Sequence, residues 1–231
     1  MLKFDREGEE FVFENDWDIL IPVELTETPE TGLVVTVIPR LRAVGKRFLS
    51  RFGDRPFSDE ALAWLRDEIA PACIEWGYLT NRHSVRHCRI FRFPEGKNPG
   101  ETLPGGRVLT KSDESINQTT FDIAETVSDG RLCFGQEEGG RIVSVAVTHA
   151  SPDEREPGGT LEIGVETVPA ARRRGYAVSC LSGVTKLILT HGLTPEYRCT
   201  YSNAASARTA RAAGYAQVGE ACSLVLRKSE R

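Results

Sequence analysis

The sequence contains no apolar run of 18 residues, no CxxC pair and no excess of positive charge. A membrane-spanning helix needs about 20 apolar residues, so we expect no transmembrane span. The formal net charge of -4 argues against a general nucleic-acid or anionic-membrane surface. We therefore expect neither nucleic acid nor a membrane among the partners.

A signal peptide is not evident either, because the first residues, MLKFDREGEEFVFEND, are acidic where a basic and then an apolar stretch is required. The six cysteines are scattered, unlike those of a small disulfide-stapled scaffold. We interpret them as buried, reduced thiols and expect a cytoplasmic location. Cys73, His83, His87 and Cys88 could suggest zinc, but a close cysteine pair is lacking, so we expect no metal site.

The first hundred residues predict a small α/β domain. Leu33 to Ile38 is rich in β-branched residues, as strands are. Apolar residues from Leu41 to Phe52 then recur at helical spacing among arginines and lysines, which indicates a basic amphipathic helix. Ser58 and Asp59 can cap a second helix, and Pro71 should interrupt it.

A segment rich in proline and glycine, from Pro94 to Gly106, predicts a loop or an interdomain linker. We place the domain boundary there, with an N-terminal domain at 1–106 and a C-terminal domain at 107–231. The C-terminal domain alternates strands and helices, and each helix must bury its stripe against a sheet face, so an α/β sandwich is expected. Its predicted strands lie at 131–134, 141–148, 161–168, 197–201 and 218–226, and its predicted helices follow Pro169 and Asn203.

Three arginines, Arg172 to Arg174, precede Gly175 at the start of the first of these helices. Cations are unfavourable at a helix N-terminus, where the macrodipole is already positive, so a bound anion is a natural compensation. Gly175 lets an anion approach the free N–H groups of the first turn. The segment predicts a pyrophosphate site. The alternative is that the arginines only solvate an exposed loop.

The run Arg172-Arg173-Arg174-Gly175-Tyr176-Ala177 resembles the cofactor loop of the GNAT superfamily of N-acetyltransferases. That pattern is Gln or Arg, two residues, Gly, one residue, then Gly or Ala, and here it follows a strand and opens a helix. The resemblance covers roughly residues 111 to 231 and looks closest to the branch that includes antibiotic self-resistance acetyltransferases. Matches to the family's later pattern are Asn203, Ser206, Gly214 and Tyr215.

The resemblance implies an α+β sandwich with a mixed, mainly antiparallel sheet and helices on both faces. It implies that the strand before the loop splays from its neighbour and pairs with the pantetheine arm of acetyl-CoA. Backbone amides in the splay would polarise the thioester carbonyl, so an acetyl group passes directly to an amine. The implied cofactor-binding residues are Val165, Glu166, Thr167, Val168, Arg172, Arg173, Arg174, Gly175, Tyr176, Ala177, Asn203 and Ser206.

Two carboxylates, Glu162 and Glu166, are candidates for the general base, because they lie two pleats apart on one strand and share a face. The alternative is that they are ordinary polar residues on a solvated face. The tyrosine that many family members place seven residues after the asparagine is Ala210 here. Asn203 has a competing role as a helix N-cap, and Tyr215 is interpreted as a core aromatic residue.

Two alternatives to a small-molecule N-acetyltransferase stay open. The first is a non-catalytic acyl-CoA binding or sensing module, which Ala210 favours. The second is an interaction protein on a GNAT scaffold, which would bind a macromolecule through the basic helix at 40–51. The expected partner is a small-molecule amine acceptor, and a homodimer is a further option.

Overall fold

The structure is a computed structural model that describes residues 2–3, 12–13, 19–75 and 78–228. The chain forms two compact units, residues 1–89 with 219–231 and residues 90–218. In these described ranges, none of the helices is both long and apolar enough to cross a membrane. The strands and helices are β1 Leu2–Lys3, β2 Val12–Phe13, β3 Ile19–Thr28, β4 Gly32–Val37, α1 Arg42–Phe52, α2 Asp59–Glu75, β5 Tyr78–Arg92, β6 Gly106–Val108, α3 Ile123–Ser128, β7 Cys133–Glu138, β8 Arg141–Thr148, β9 Thr160–Thr167, α4 Tyr176–Thr190, β10 Thr194–Thr200, α5 Ala204–Ala212 and β11 Ala216–Lys228.

The first unit is a small α/β layer, as predicted. Strand β3 pairs antiparallel with β4 on one side and with β11 on the other, and β1 adds parallel to β4. Helix α1 has the predicted amphipathic character, since Phe48 and Phe52 on its inner face are 0% exposed. The ring of Phe52 packs against Trp64 of α2 with centroids 5.6 Å apart.

Pro71 does not interrupt α2, so the sequence prediction is wrong at this point. The helix runs from Asp59 to Glu75 with the proline inside it. The predicted cap is confirmed, because Ser58 Oγ accepts a hydrogen bond of 3.2 Å from the N–H of Ala61. Proline removes one backbone donor, but Ile69 and Cys73 on the inner face are both fully buried. Packing of this face keeps the last turn helical despite the lost bond.

The second unit contains a mixed, mainly antiparallel sheet. Strands β6 to β9 follow one another antiparallel, and β10 joins β9 in parallel. Helices α4 and α5 pack on one face through a large apolar cluster, and α3 packs on the other face through a smaller one. This arrangement confirms the predicted fold class. The hairpin of β7 and β8 closes between Glu138 and Arg141.

The segment rich in proline and glycine is a loop that packs along α4. The N–H of Leu103 donates to Ser179 Oγ at 2.8 Å, and Glu101 forms an ion pair with Lys186 at 3.7 Å. This loop lies within the unit of residues 90–218, and most of β11 lies within the other unit. The domain limits of 1–106 and 107–231 stay a prediction.

A partly buried ion pair ties β6 to the turn that follows it. Asp113 is 7% exposed and accepts hydrogen bonds from Arg107 Nη2 at 2.7 Å and from the N–H of Thr110 at 2.7 Å. The same guanidinium donates to Glu137 at 3.0 Å. The hydrogen bond from Arg107 is the main reason why the pKa of Asp113 lies well below its usual range.

We expect Asp113→Asn to lower the free energy of unfolding at pH 7 by about 1–3 kcal/mol, because Arg107 loses its charged acceptor. A carboxylate with a depressed folded-state pKa stabilises the fold fully above about pH 4, the ordinary value, and loses this contribution as the pH falls further. Urea unfolding at pH 7, 4 and 3 should therefore show a shrinking difference from the wild type. The exposed Asp153→Asn is the matched control. An equal deficit at every pH would contradict this account.

Candidate functional site

Strand β9 leads into α4 through a short 3-10 turn at Pro169–Ala171 and a sharp bend. Proline suits the start of the turn, because its φ is already fixed and its missing N–H has no partner to lose there. Gly175 is the N-cap of α4 with φ 85° and ψ -3°, a left-handed conformation that glycine adopts without steric cost. Arg173 also has a positive φ, 62°, which is uncommon for a residue with a side chain. Such strain is typical of functional loops.

The bend leaves a row of backbone donors free. In the part of the chain that the structure describes, no acceptor contacts the N–H groups of residues 173–178. The first amide of α4 with a partner is that of Ser179, which donates to Gly175 O at 3.0 Å. No side chain caps the helix. Free donors at a positive helix end form an anion site, and this is the backbone arrangement that the pyrophosphate prediction requires.

The arginine side chains at the bend have different environments. Arg172 Nε donates to the carbonyl of Thr167 at 3.1 Å. Arg174 Nη1 donates to both carboxylate oxygens of Glu138, at 2.7 and 2.8 Å. The hydroxyl of Tyr176 donates to the same carboxylate at 3.1 Å. The β7–β8 hairpin therefore brings a negative charge against the predicted anion site.

Buried polar residues fix the start of α4. Ser179 is 2% exposed, and its Oγ accepts from the N–H of Leu103 and donates to Gln136 Oε1 at 3.3 Å. Gln136 is 1% exposed and donates through Nε2 to the carbonyl of Pro104 at 2.6 Å. Sequence reasoning missed these residues, because Ser179 and its partners are 43 and 76 positions apart and no local pattern marks them.

The strand before the bend loses one of its two neighbours. Strands β9 and β10 pair with each other from Thr160 and Thr194 up to Ile163 and Tyr197. Both strands continue beyond that point but no longer pair with each other. On its other side β9 stays paired with β8 as far as Thr167. Residues 164–167 of β9 therefore present an open edge toward β10, as the predicted splay requires.

The two candidate bases share one face of β9 but contact different partners. Glu166 Oε2 accepts from the N–H and the hydroxyl of Thr120, at 2.9 and 2.6 Å. Glu162 lies 3.4 Å from Arg198 Nε through Oε2 and 3.6 Å from His149 Nδ1 through Oε1. Both carboxylates thus lie on the same face of β9, and each has its own polar partners.

The model of the GNAT acetyltransferase family matches residues 118–221. This range encloses the open edge of β9, the bend with its free amides, and both helices that follow. Residues 118–221 thus form a domain of the GNAT superfamily. The match supports acyl transfer as the general chemistry of this family of domains.

Solved structures share the GNAT fold. A GNAT-family protein from Novosphingobium aromaticivorans is 22% identical, with a TM-score of 0.52 over 64% of this chain and 66% of that protein. A GNAT-family acetyltransferase from Colwellia psychrerythraea is 11% identical, with a TM-score of 0.50 over 91% of this chain and 82% of that protein. At these identities the likeness concerns the fold alone. No curated protein matches the chain.

Asn203 and Ser206 of the GNAT domain have structural partners. Asn203 Oδ1 accepts from the N–H of Ser206 at 3.0 Å, so its predicted capping of α5 is confirmed. The hydroxyl of Ser206 lies 2.6 Å from the hydroxyl of Tyr197. Tyr197 is the last residue of β10 that pairs with β9. Their contact with the cofactor stays a prediction.

The position of the family's usual tyrosine lies in the core. Ala210 is 0% exposed on the inner face of α5. Tyr215 is 4% exposed, and its hydroxyl lies 2.5 Å from that of Thr185. Burial raises the pKa of Tyr215 far above its usual range, which suits the core aromatic role predicted for it.

The two histidines named for a possible zinc site are His87, which has other contacts, and His83. His87 Nε2 lies 2.8 Å from Glu220, and its ring stacks on Phe57. The side chain of His83 lies outside the described residues. Among those described, no group of three or more His, Cys, Asp or Glu side chains could hold a metal ion.

The cysteines are mostly buried, which makes them poor nucleophiles. Five of the six are buried, and Cys88 is half-buried. Burial raises the pKa of the Cys180 thiol to about 12 and that of Cys73 to about 11. Cys199 is also buried, at 7% exposure. Direct acyl transfer, without a thioester intermediate on the protein, stays a prediction.

We expect the folded chain to expose at most one fast thiol, Cys88, to an aromatic disulfide reagent at pH 8. The other thiols are buried and shielded from the reagent, so they should react only on the time scale of unfolding. Titration in 8 M urea should release all six equivalents at once, and Cys88→Ser should remove the fast one. Rapid modification of Cys180 in the folded protein would show that this environment is wrong.

Proposed function

We propose that the GNAT domain transfers an acetyl group from acetyl-CoA to a primary amine of a small molecule. The observation that carries the proposal is the open edge of β9, which leads directly into the row of free amides at residues 173–178. An open strand edge can pair with an extended amide-containing chain, and free amides at a helix start bind phosphate. Acetyl-CoA contains both groups in one molecule.

The residues at the site suit such a ligand in charge as well as in shape. The free amides, with Arg172, Arg173 and Arg174 beside them, would hold the pyrophosphate. The backbone of Val165 to Val168 would pair with the pantetheine arm and direct donors at the thioester carbonyl. When bound, acetyl-CoA supplies an activated acyl group, and the proton of the amine must pass to a base on the protein or to water.

A non-catalytic acyl-CoA binding or sensing module is the second candidate, and buried Ala210 favours it. The domain lacks a phenol at this position to protonate the departing sulfur. A thiolate is, however, a tolerable leaving group near neutral pH, because an ordinary thiol has a pKa of about 8.5. We therefore rank transfer before sensing.

An interaction protein that uses the basic helix is disfavoured by the charges around α1. Arg47 forms a salt bridge with Glu68, and Arg51 lies 3.9 Å from Glu60, both on α2. These pairs neutralise part of the positive face, so it is a weaker polyanion site than the sequence suggests. The cytoplasm remains the proposed compartment, since buried free thiols suit a reducing environment.

Calorimetric titration of acetyl-CoA into the full chain tests the proposal. We expect micromolar binding, and a loss of at least about tenfold in affinity when Arg172 and Arg174 are both replaced by Ala, because two charge-assisted phosphate contacts disappear. Arg141→Ala, at an exposed arginine of β8, is the matched control and should bind as the wild type does. A panel of primary amines should then release free thiol. Binding without release by any amine would favour the sensing module, and no binding by the folded wild type would refute both.

Glu138 should weaken acetyl-CoA binding, because its carboxylate competes with phosphate for Arg174. We expect Glu138→Gln to tighten binding by no more than about fivefold, since the two side chains are 50% and 42% exposed and solvent screens the pair. The gain should shrink at high salt. Glu156→Gln, at an exposed carboxylate away from the bend, is the control. Weaker binding by Glu138→Gln would mean that this hairpin carboxylate helps to form the site.

A further inference from the structure

A histidine ring lies over β9 at the point where the pairing of this strand with β10 has ended. His149 directly follows β8, and its N–H donates to the carbonyl of Glu162 at 2.9 Å, which fixes the backbone beside β9. Its Nε2 is 3.0 Å from the place where a side chain on Gly164 would begin, and the ring of Phe121 is 3.1 Å from that place. Gly164 is the first residue of β9 beyond the end of pairing with β10. A side chain at this position would press on both rings, so glycine suits their close approach to the strand.

The other ring nitrogen faces a carboxylate. His149 Nδ1 lies 3.6 Å from Glu162 Oε1, a distance at which the charges interact although no hydrogen bond forms. A carboxylate on this side favours a proton on Nδ1, which leaves the lone pair on Nε2, the ring nitrogen beside Gly164. A general base needs such a free lone pair close to the reacting atoms.

A row of charges holds Glu162 in place. Arg198 Nε lies 3.4 Å from Glu162 and 2.8 Å from Glu196 Oε1. Arg92 Nε donates to the other oxygen of Glu196 at 2.9 Å. The side chain of Glu196 is only 3% exposed, so the row is anchored in the interior of the unit. A buried carboxylate between two guanidinium groups keeps its geometry. Because Arg198 contacts both this carboxylate and Glu162, it also holds Glu162 in position.

The neighbouring carboxylates are less suited to accept a proton. Glu166 Oε2 already accepts two hydrogen bonds from Thr120. Glu162 faces a guanidinium and an imidazole. His149, in contrast, has a side chain that is 52% exposed and therefore reachable by an incoming amine. The charged group in contact with its ring is Glu162, which also contacts Arg198 of β10. Glu166 lies further along the same face of β9, and the uncharged ring of Phe121 lies beside Gly164.

We propose that His149 is the general base of the GNAT domain and that Glu162 is its positioning residue. This inference rests on the proposed transfer to an amine. As the amine nitrogen forms its bond to the acyl carbon, its proton passes to His149 Nε2. The carbon–sulfur bond breaks with its electron pair on sulfur, and the thiolate then takes a proton from solvent. His149 returns its proton to water before the next turnover.

The experiment uses the full chain and an amine that the wild type acetylates, with thiol release measured from pH 5.5 to 9.5. We expect His149→Gln to lower kcat/KM at pH 7 by about 10²–10³-fold, the usual contribution of a general base. The loss should narrow at high pH, where the free amine needs no base. Calorimetric affinity for acetyl-CoA should stay within about twofold of the wild type. Glu162→Gln should cost about tenfold and reshape the acid limb of the profile.

Two further variants separate catalysis from folding. His191→Gln, at an exposed histidine where α4 ends, is the matched control and should keep the wild-type profile. His149→Ala should regain part of its activity with added imidazole, which a merely structural role would not allow. A wild-type rate and pH profile in His149→Gln would overturn the inference while the proposed function stands. Absence of thiol release by the wild type with every amine would overturn both.

Discussion

The end of the ladder between β9 and β10 is the constraint on which the site depends. Up to Ile163 the strand has two neighbours, and beyond it β8 alone holds the strand in place. Ser144 of β8 strengthens that side, because its hydroxyl donates to the carbonyl of Glu166 at 3.0 Å. The strand can therefore stay extended with one edge open. An open edge inside a rigid sheet is a preformed binding surface that costs little further ordering when a ligand arrives.

The bend after β9 combines local strain with firm support. A positive φ at Arg173 and uncapped amides at the start of α4 both cost stability. The loop residues are exposed, so water can satisfy the free donors until an anion replaces it. The buried contacts of Ser179 with Leu103 and Gln136 hold the first turn of α4 in place. These buried contacts stabilise the start of the helix, and this is why the strain in the loop is tolerated.

The charged side chains on the polar face of the sheet form a row that begins at a buried residue and ends at the surface. Glu196 is buried and forms ion pairs with both Arg92 and Arg198. The side chains of this row are therefore held most firmly at Glu196 and less firmly toward the surface, where Glu162 and His149 lie. Buried polar groups that are completely paired make a region rigid. The same face thus carries an anchored inner end and an accessible outer end, which suits a site that must position a proton acceptor and still admit a substrate.

The sequence by itself determined what depends on neighbouring residues. Periodic apolar stripes located α1 and α4, Ser58 and Asn203 marked the starts of two helices, and the charged bend before Gly175 indicated the anion site, because propensity and capping act within a few residues. Tertiary structure alone decided that α2 continues through Pro71, that the strand β5 forms from a polar segment, and which carboxylate faces His149. These outcomes depend on partners distant in the sequence, whose packing no local pattern records.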